Sequence, residues 1–364
     1  MNITIVAGAR PNFMKIAPII DAIKQKQCLG LDLNFRLIHT GQHYDKNLSD
    51  TFFNELNIPF PDSNLDVKSG TQAEQTAAIM IGFEKELKAN PCDLVLVVGD
   101  VNSTMACTIV AKKEGVKIAH VEAGIRSGDM RMPEEINRIV TDSLTDYFFT
   151  TSTNAGENLK KIGVAYQNIY FVGNVMIDTL LKNEKRFKKP KVWDDLKLKE
   201  KSYLVMTLHR PSNVDEEQQL KKLLSQIITL SKNIPVIFPV HPRTKIILEQ
   251  LKIDFSNILL IEPLGYLEFN YLVKNALAVL TDSGGITEET TTLHVPCITL
   301  RENTERPETC EIGTNVLVGN DVKKIETAFK TLLEGKWKKG EIPELWDGKA
   351  AQRIIDKLIE IYKL

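Results

Sequence analysis

Short apolar runs recur along the chain, and most are followed by a turn of glycine or polar residues and then by apolar residues at helical spacing. Runs that are apolar throughout are typical of strands buried on both faces of a parallel sheet. We predict strands at 2–7, 35–39, 93–98, 117–121, 147–150, 169–172, 202–208, 236–240, 258–261, 276–280 and 295–300. We predict helices at 12–26, 45–55, 71–89, 105–114, 154–162, 175–185, 216–232, 321–333 and 350–364. Three further helices are predicted, one that begins at Pro133, one that contains Phe269 and one that begins at Ile286. This alternation predicts an α/β protein.

A charged, lysine-rich stretch, 188–201, interrupts the alternation and is interpreted as a linker region. The strand–helix pattern starts again after it. We therefore predict two Rossmann-like domains facing a cleft, an N-terminal one over 1–174 and a C-terminal one over 175–348, followed by a last helix over 349–364.

The turn after the strand at 276–280 has the composition of a phosphate-binding site. Ser283, Gly284 and Gly285 lead into a helix, whose N-terminus offers free N–H groups and the positive end of a helix dipole. Glu289, one turn into that helix, could accept hydrogen bonds from the hydroxyls of a ribose. A capped turn without a ligand explains this stretch equally well.

Two cations follow the first strand, Arg10 in the turn and Lys15 in the next helix. Ligands of parallel α/β sheets bind at the carboxyl ends of the strands, where this turn lies. The two cations would suit a diphosphate, although solvated surface charges would give the same pattern. Gln42 and His43 follow the second strand in the same way.

Carboxylates follow two further strands. Asp100 comes after the strand at 93–98, where it could be a helix cap, and Glu122 comes directly after the strand at 117–121. Glutamate is a poor cap, so Glu122 is the stronger candidate for a general acid or base. Glu134, at a predicted helix start, and His209, after the strand at 202–208, complete a set of acid–base candidates.

Composition excludes several classes of function. The net charge is −1, so no general nucleic-acid or membrane surface is predicted. The five cysteines are scattered without a Cys-x-x-Cys pair, which predicts free thiols, no zinc site and a cytoplasmic protein. There is no Gly-x-Gly-x-x-Gly after the first strand and no Walker lysine, so we expect neither NAD nor another cofactor.

Taken together, these motifs resemble the non-hydrolysing UDP-N-acetylglucosamine 2-epimerases over nearly the whole chain. The resemblance rests on Gly8–Lys15, Gly41–His43, Gly99–Thr104, His120–Arg126, Met132–Arg138, His209-Arg210, Pro239–Pro242, Asp282–Glu289 and Thr304–Glu308. It implies a glycosyltransferase-B-like fold with the last helix returning to the first domain, and a homodimer. The implied reaction interconverts UDP-N-acetylglucosamine and UDP-N-acetylmannosamine through loss of UDP and a 2-acetamidoglucal.

The resemblance also implies roles for particular residues. Asp100, Glu122 and Glu134 would be the acid–base carboxylates, and His209 would assist the departure of UDP. The substrate-binding set would be Arg10 and Lys15 near the diphosphate, Ser283, Gly284, Gly285 and Arg306 at phosphate, Glu289 at ribose, and Leu264 and Phe269 at uracil. Further cleft or second-site candidates are Gln42, His43, Arg138, Arg210, His241 and Arg243.

The chain departs from many bacterial members in carrying Tyr44 after Gln42-His43, where they carry an arginine linked to activation by substrate. Similar variant motifs occur in relatives that act on diacetamido-uronic UDP-sugars, so a UDP-2,3-diacetamido-glucuronate 2-epimerase is an alternative. A glycosyltransferase of the same fold and a UDP-sugar-binding regulatory module are the rival hypotheses from other classes.

Overall fold

The structure is a computed structural model that describes residues 1–41, 53, 55–210, 213, 216–240, 245, 248, 255 and 257–364, with Arg10 described by its backbone alone. The predicted helix at 45–55 lies almost wholly outside these residues. The chain forms two compact units, one of Met1–Lys182 with Glu344–Leu364 and one of Asn183–Pro343.

The first unit contains one parallel sheet of seven strands. The strands are β1 Asn2–Ala7, β2 Asn34–His39, β3 Ser63–Asn64, β4 Leu94–Val98, β5 Lys117–Val121, β6 Tyr147–Thr150 and β7 Ile169–Phe171. Their order in the sheet is β3-β2-β1-β4-β5-β6-β7. The helices are α1 Arg10–Cys28, α2 Gln72–Ala89, α3 Asn102–Lys113, α4 Pro133–Leu144, α5 Thr153–Lys161 and α6 Val175–Asn183.

The centre of this sheet follows from the apolar runs. All five residues of β4 are buried, and β4 pairs with β1 on one side and β5 on the other. A strand that is apolar on both faces removes the most apolar surface from water when helices cover both sides. The carboxyl ends of β1, β4 and β5 consequently lie side by side at one edge of the sheet.

The chain returns to the first unit at its end. Helix α13, Ala350–Tyr362, begins where the buried carboxylate of Asp178 accepts the N–H groups of Ala350 at 3.1 Å and Ala351 at 2.7 Å. Just before it, the fully buried Trp346 donates its indole N–H to Thr151 O at 3.2 Å. The expected return of the last helix to the first domain is present in the structure.

The second unit contains a parallel sheet of six strands. These are β8 Leu204–Thr207, β9 Val236–Pro239, β10 Ile258–Ile261, β11 Ala278–Thr281, β12 Cys297–Thr299 and β13 Asn315–Leu317. The order is β10-β9-β8-β11-β12-β13. The helices are α7 Lys191–Asp195, α8 Glu217–Ser231, α9 Tyr266–Asn275, α10 Gly284–Thr292, α11 Pro307–Glu311 and α12 Val322–Leu333.

The ends of the two units lie a few residues away from the predicted domain boundaries. The first unit ends at Lys182 instead of 174, because α6 packs on it: the Thr179 hydroxyl donates to Met14 O at 2.6 Å. The return to it begins at Glu344 instead of 349, because Trp346 is already buried there.

Four short elements escaped prediction, and one of them is the five-residue helix α11. β3 and β13 are too short for a hydrophobic pattern to show, and α7 lies in the presumed linker, where Trp193 packs edge-on against Tyr203 with ring centroids 5.6 Å apart. None of the helices in the described ranges is long and apolar enough to cross a bilayer.

Candidate active site

Glu122 stands at the carboxyl edge of the first sheet in a conformation unusual for its residue type. Its φ is 71°, in the left-handed region that side chains with a Cβ rarely adopt. Its backbone N–H donates to Phe149 O at 3.0 Å, and its residue surface is 4% exposed. Such backbone strain persists where the surrounding structure enforces it, and it is concentrated at functional sites.

The Glu122 carboxylate forms a buried ion pair with Lys15 of α1. Lys15 Nζ lies 2.5 Å from Glu122 Oε2, and the two side chains are 10% and 2% exposed. Gly99 leaves room for the pair, because a Cβ on this residue would lie 2.8 Å from Lys15 Nζ. The cation expected near a diphosphate is thus placed on a carboxylate.

Asn12 attaches the start of α1 to this edge. Its side-chain oxygen accepts the N–H groups of Gly8 and Ala9, both at 3.0 Å, and its amide donates to Val98 O at 3.1 Å. The turn after β1 and the end of β4 are therefore held in a fixed relation, and Lys15 lies one turn farther along the same helix.

Asp100 is held by Arg138 of α4. Arg138 Nε and a terminal nitrogen lie 3.0 Å and 2.6 Å from Asp100 Oδ2, while its other terminal nitrogen lies 2.7 Å from Glu135 Oε2. Asp100 remains 28% exposed at its side chain, whereas Arg138 is buried. An accessible carboxylate in a rigid, charge-assisted contact can meet a ligand without moving.

Glu135 is the second carboxylate that Arg138 contacts, besides Asp100. Burial acts to raise its pKa, but the N–H groups of Ser127 and Gly128 together with Arg138 outweigh that effect, so the pKa lies below its ordinary value. Ser127 N–H donates to Glu135 Oε2 at 2.8 Å. Glu135 therefore stays ionised and orients Arg138.

In the second unit, His209 is paired with a buried aspartate. His209 Nδ1 lies 2.7 Å from Oδ1 of Asp282, whose side chain is fully buried while that of His209 is 59% exposed. Burial acts to raise the pKa of Asp282, and the contacts with His209, Arg210 N–H and Asn213 lower it below its usual value. The ionised Asp282 accepts the hydrogen on Nδ1, which leaves Nε2 as the outward-facing ring nitrogen.

The start of α10 contains the residues of the predicted phosphate-binding turn. Ser283 is the residue before the helix, and its side chain does not cap it. A Cβ on Gly284 would meet nothing closer than 3.9 Å, and Gly285 is half-buried. The N–H groups of the first turn are thus left without a cap from Ser283, and the nearest groups to an added Gly284 Cβ are Glu305 Oε2 at 3.9 Å and an Arg301 nitrogen at 4.0 Å.

Glu289 lies on the same helix and is buried. Burial raises its pKa to about 7, although hydrogen bonds with Tyr266 and Asn270 act in the opposite direction. Its Oε1 has no hydrogen-bond partner within the described residues. Buried polar atoms are rarely left unsatisfied, so this oxygen is suited to a ligand hydroxyl.

Three arginines of this region contact carboxylates. Arg306 forms an ion pair with the buried Glu288, and Arg301 is bound to Glu305 through two contacts of 2.7 Å. Arg210 lies 3.5 Å from Glu305. The predicted phosphate ligand Arg306 is therefore placed on a carboxylate of α10.

The remaining predicted residues are distributed less tightly. Glu134 is half-buried in the first turn of α4. Leu264 and Phe269 are partly buried against the apolar cluster around Tyr203. Gln42, His43, His241 and Arg243 lie outside the described residues, as does the side chain of Arg10.

Sequence reasoning missed the residues that hold the site in place, which are Asn12, His120, Glu135, Asp142 and Asp282. One signal could have found His120. It lies two residues before Glu122 on β5, and alternate residues of a strand share a face.

Comparison with known proteins agrees with these features. A family model described as UDP-N-acetylglucosamine 2-epimerase matches residues 27–359. The UDP-N-acetylglucosamine 2-epimerase of Methanocaldococcus jannaschii is 41% identical over 98% of this chain and 98% of its own. The UDP-2,3-diacetamido-2,3-dideoxy-D-glucuronate 2-epimerase of Pseudomonas aeruginosa is 38% identical over 99% of this chain and 100% of its own.

The fold is shared with solved structures as well. The crystal structure of the M. jannaschii UDP-GlcNAc 2-epimerase in complex with UDP-GlcNAc and UDP matches with a TM-score of 0.89 at 40% identity, over 99% of this chain and 100% of that one. The similarity spans both α/β units, and it carries the glycosyltransferase-B-like architecture expected from the motifs. The chain belongs to the UDP-N-acetylglucosamine 2-epimerase family, a family of isomerases.

Proposed function

We propose that this protein interconverts UDP-N-acetylglucosamine and UDP-N-acetylmannosamine by inverting C2 of the sugar. The observation that carries the proposal is the pairing of Glu122 with Lys15 beside the Asp100–Arg138 contact at one sheet edge. Two carboxylates held by fixed cations supply the proton acceptor and proton donor that inversion at one carbon needs.

The proposed reaction is balanced in two reversible steps. A carboxylate takes the C2 proton while the C1–oxygen bond breaks, so that UDP leaves and a 2-acetamidoglucal forms. UDP then adds back at C1, and a proton is delivered to C2 from the opposite face. Asp100, Glu122 and Glu134 are the proposed proton-transfer groups.

The second unit is proposed to bind the nucleotide. The uncapped start of α10 at Ser283, Gly284 and Gly285 suits phosphate oxygens, and the buried Glu289 suits the ribose hydroxyls. Leu264 and Phe269 offer a partly buried apolar surface for uracil.

His209 is proposed to assist the departure of UDP. The ionised Asp282 at 2.7 Å accepts the hydrogen on Nδ1 and so orients the ring. A positive imidazole near the breaking bond would stabilise the negative charge that develops on the leaving diphosphate.

The substrate itself has one specific alternative. A relative that is 38% identical over nearly the whole chain is a UDP-2,3-diacetamido-2,3-dideoxy-D-glucuronate 2-epimerase. The same elimination and re-addition would invert C2 of that sugar, so both sugars belong in the assay.

The test is proton exchange at C2 in deuterium oxide, followed by NMR on each UDP-sugar separately. Incorporation of deuterium together with formation of the epimer supports the proposal. Tight binding without either result would indicate a regulatory module, and transfer of labelled sugar to an acceptor would indicate a glycosyltransferase.

Variants sharpen the test. Asp100→Asn and Glu122→Gln are expected to lower turnover by about two to four orders of magnitude, as for positioned acid–base groups, while UDP affinity stays near that of the wild type. Glu157→Gln is the control, because this glutamate of the same unit is 57% exposed at its side chain. Full activity in either active-site variant would remove that residue from the mechanism.

We also propose that the protein acts in the cytoplasm, where the five free thiols would remain reduced.

A homodimer is the proposed oligomeric state. Helices α2 and α4 both pack against α3, and they expose Ile81 (57%), Ile136 (44%) and Ile139 (38%). Burial of such side chains against a second copy would be favourable. Light scattering should give a mass twice that of the 41.0 kDa chain. Ile136→Lys should shift the measured mass toward that of the monomer. A wild type with the mass of a monomer would refute the dimer.

A further inference from the structure

His120 is a buried histidine that joins two turns of the candidate active site. It lies on β5, two residues before Glu122, and is 0% exposed. Its Nε2 lies 2.9 Å from Gly99 O, the carbonyl just before Asp100, and its Nδ1 lies 2.8 Å from Asp142 Oδ1. One ring therefore contacts the turn after β4 and a helix beyond the turn after β5.

The two partners determine where the ring hydrogens lie. A backbone carbonyl only accepts hydrogen bonds, so Nε2 carries a hydrogen. Burial acts to raise the pKa of Asp142, but His120 and Arg126 lower it below its ordinary value, so this carboxylate is ionised and also accepts. Both ring nitrogens of His120 therefore face hydrogen-bond acceptors.

Asp142 extends the same network to the turn that follows Glu122. Its Oδ2 accepts the N–H of Gly124 at 3.1 Å and lies 2.6 Å from an Arg126 nitrogen. Gly124 is itself constrained, with φ 79° and the Ala155 carbonyl 2.2 Å from the position of an added Cβ. The left-handed backbone of Glu122 is thus held on both sides.

The same helix, α4, also holds Asp100. Asn137 donates its amide to Asp100 O at 2.9 Å, and Arg138 contacts the Asp100 carboxylate. The inner side of α4 therefore fixes Asp100 through Asn137 and Arg138, and it fixes the surroundings of Glu122 through Asp142.

We propose that His120 and Asp142 are positioning residues, which set the distance and orientation between the Asp100 and Glu122 carboxylates for proton transfer at C2. The proposal rests on the proposed function. Neither residue needs to touch the substrate, because the ring acts through the Gly99 carbonyl and the strand that leads to Glu122.

Two variants and one control test the kinetic consequence. His120→Gln can reach only one of the two acceptors, and Asp142→Asn removes the charge that holds the ring. Because a displacement of about 1 Å can cost about 10²-fold in rate, we expect kcat to fall by about that factor. The KM for the UDP-sugar and the affinity for UDP should stay near wild type, because the proposed nucleotide contacts lie in the second unit.

Asp178→Asn is the matched control. Asp178 is also a buried, helix-borne aspartate of the first unit that accepts two backbone N–H groups, but it holds α13. This variant should lose stability and keep the wild-type kcat. A wild-type kcat in folded His120→Gln or Asp142→Asn, or an equal loss in Asp178→Asn, would overturn the proposal.

A spectroscopic measurement tests the hydrogen bond from the ring to Gly99 O without using activity. In protein labelled with ¹⁵N at its six histidines, the signal that disappears in His120→Gln should show a protonated Nε2, as the contact with the Gly99 carbonyl requires. An unprotonated Nε2 would overturn the inference. If the wild type shows no exchange at C2, the proposed function fails, and the ring signal still tests whether His120 holds the Gly99 carbonyl.

Discussion

Replacing Glu289 with glutamine should change the pH dependence of stability in a defined direction. The carboxyl group is buried on α10, and burial raises its pKa to about 7 from an ordinary value of 4.5, with Glu288 adding to the effect and Tyr266 and Asn270 opposing it. Glutamine has nearly the same shape and cannot ionise. The substitution therefore removes one titration and little else.

The size of the effect follows from the two pKa values. The folded protein binds the proton more tightly than the unfolded chain, so the stability from this group is complete below about pH 4.5 and is lost as the pH rises to about 7. Each pKa unit corresponds to about 1.4 kcal/mol. The wild type should lose roughly 3 kcal/mol over this interval from Glu289, and Glu289→Gln should not.

The assay is urea unfolding of the ligand-free protein from pH 5 to pH 8. Trp193 and Trp337 lie in the same unit as Glu289, so their fluorescence in a Trp346→Phe background reports on that unit. Glu326→Gln, on the exposed side of α12, is the control and should follow the wild-type curve.

The measurement at pH 8 distinguishes Glu289→Gln from the wild type. The Glu289→Gln protein should be more stable than the wild type there and should bind UDP about ten- to a hundredfold more weakly, because it lacks a charged acceptor for the ribose. A stability curve for Glu289→Gln parallel to that of the wild type would refute the reasoning.

Three further substitutions have expected outcomes. Gly99→Ala places a Cβ 2.8 Å from Lys15 Nζ at a residue with φ +67°. Urea unfolding should show that the free energy of unfolding falls by about 1–2 kcal/mol, and C2 exchange should be slower. Wild-type stability and exchange would contradict the close approach of Gly99 to Lys15. Arg138→Lys cannot keep both of the nitrogen contacts that Arg138 makes to Asp100. We therefore expect kcat to fall by about one to two orders of magnitude while the affinity for UDP is unchanged. An unchanged kcat would show that the paired contact with Asp100 is dispensable. Trp346→Ala removes a buried indole and should cost about 3–5 kcal/mol in calorimetry, and weaker UDP binding in the folded variant would argue against a purely structural role.

The sequence by itself determined most strands of the two sheets and the turns that follow them. Continuous apolar runs such as 94–98 can be buried only between two layers of helices, so they predict parallel strands without any knowledge of neighbours. Because all parallel strands end at the same edge, residues after those runs, Asp100 and Glu122 among them, could be named as site candidates in advance. Glycine and serine at 283–285 predicted a phosphate-binding turn in the same way.

Only the tertiary structure decided which charges are partners. Lys15 is 107 positions from Glu122, and no local pattern could assign it to that carboxylate in preference to a phosphate. The same holds for Arg306 with Glu288 and for His209 with Asp282. Ion pairs depend on distances of a few ångströms between side chains from separate elements, and a one-dimensional pattern does not contain those distances.

The left-handed backbone of Glu122 was beyond sequence reasoning for a related reason. Glutamate has no local preference for φ 71°, so the conformation arises from what surrounds it: the Phe149 carbonyl, the network of His120 and Asp142, and the ion pair with Lys15. Local preference is a property of the residue and its neighbours in the chain, whereas strain is imposed by packing. The residues that carry the proposed chemistry could therefore be named from the sequence, but the groups that hold them in place became visible only in the folded chain.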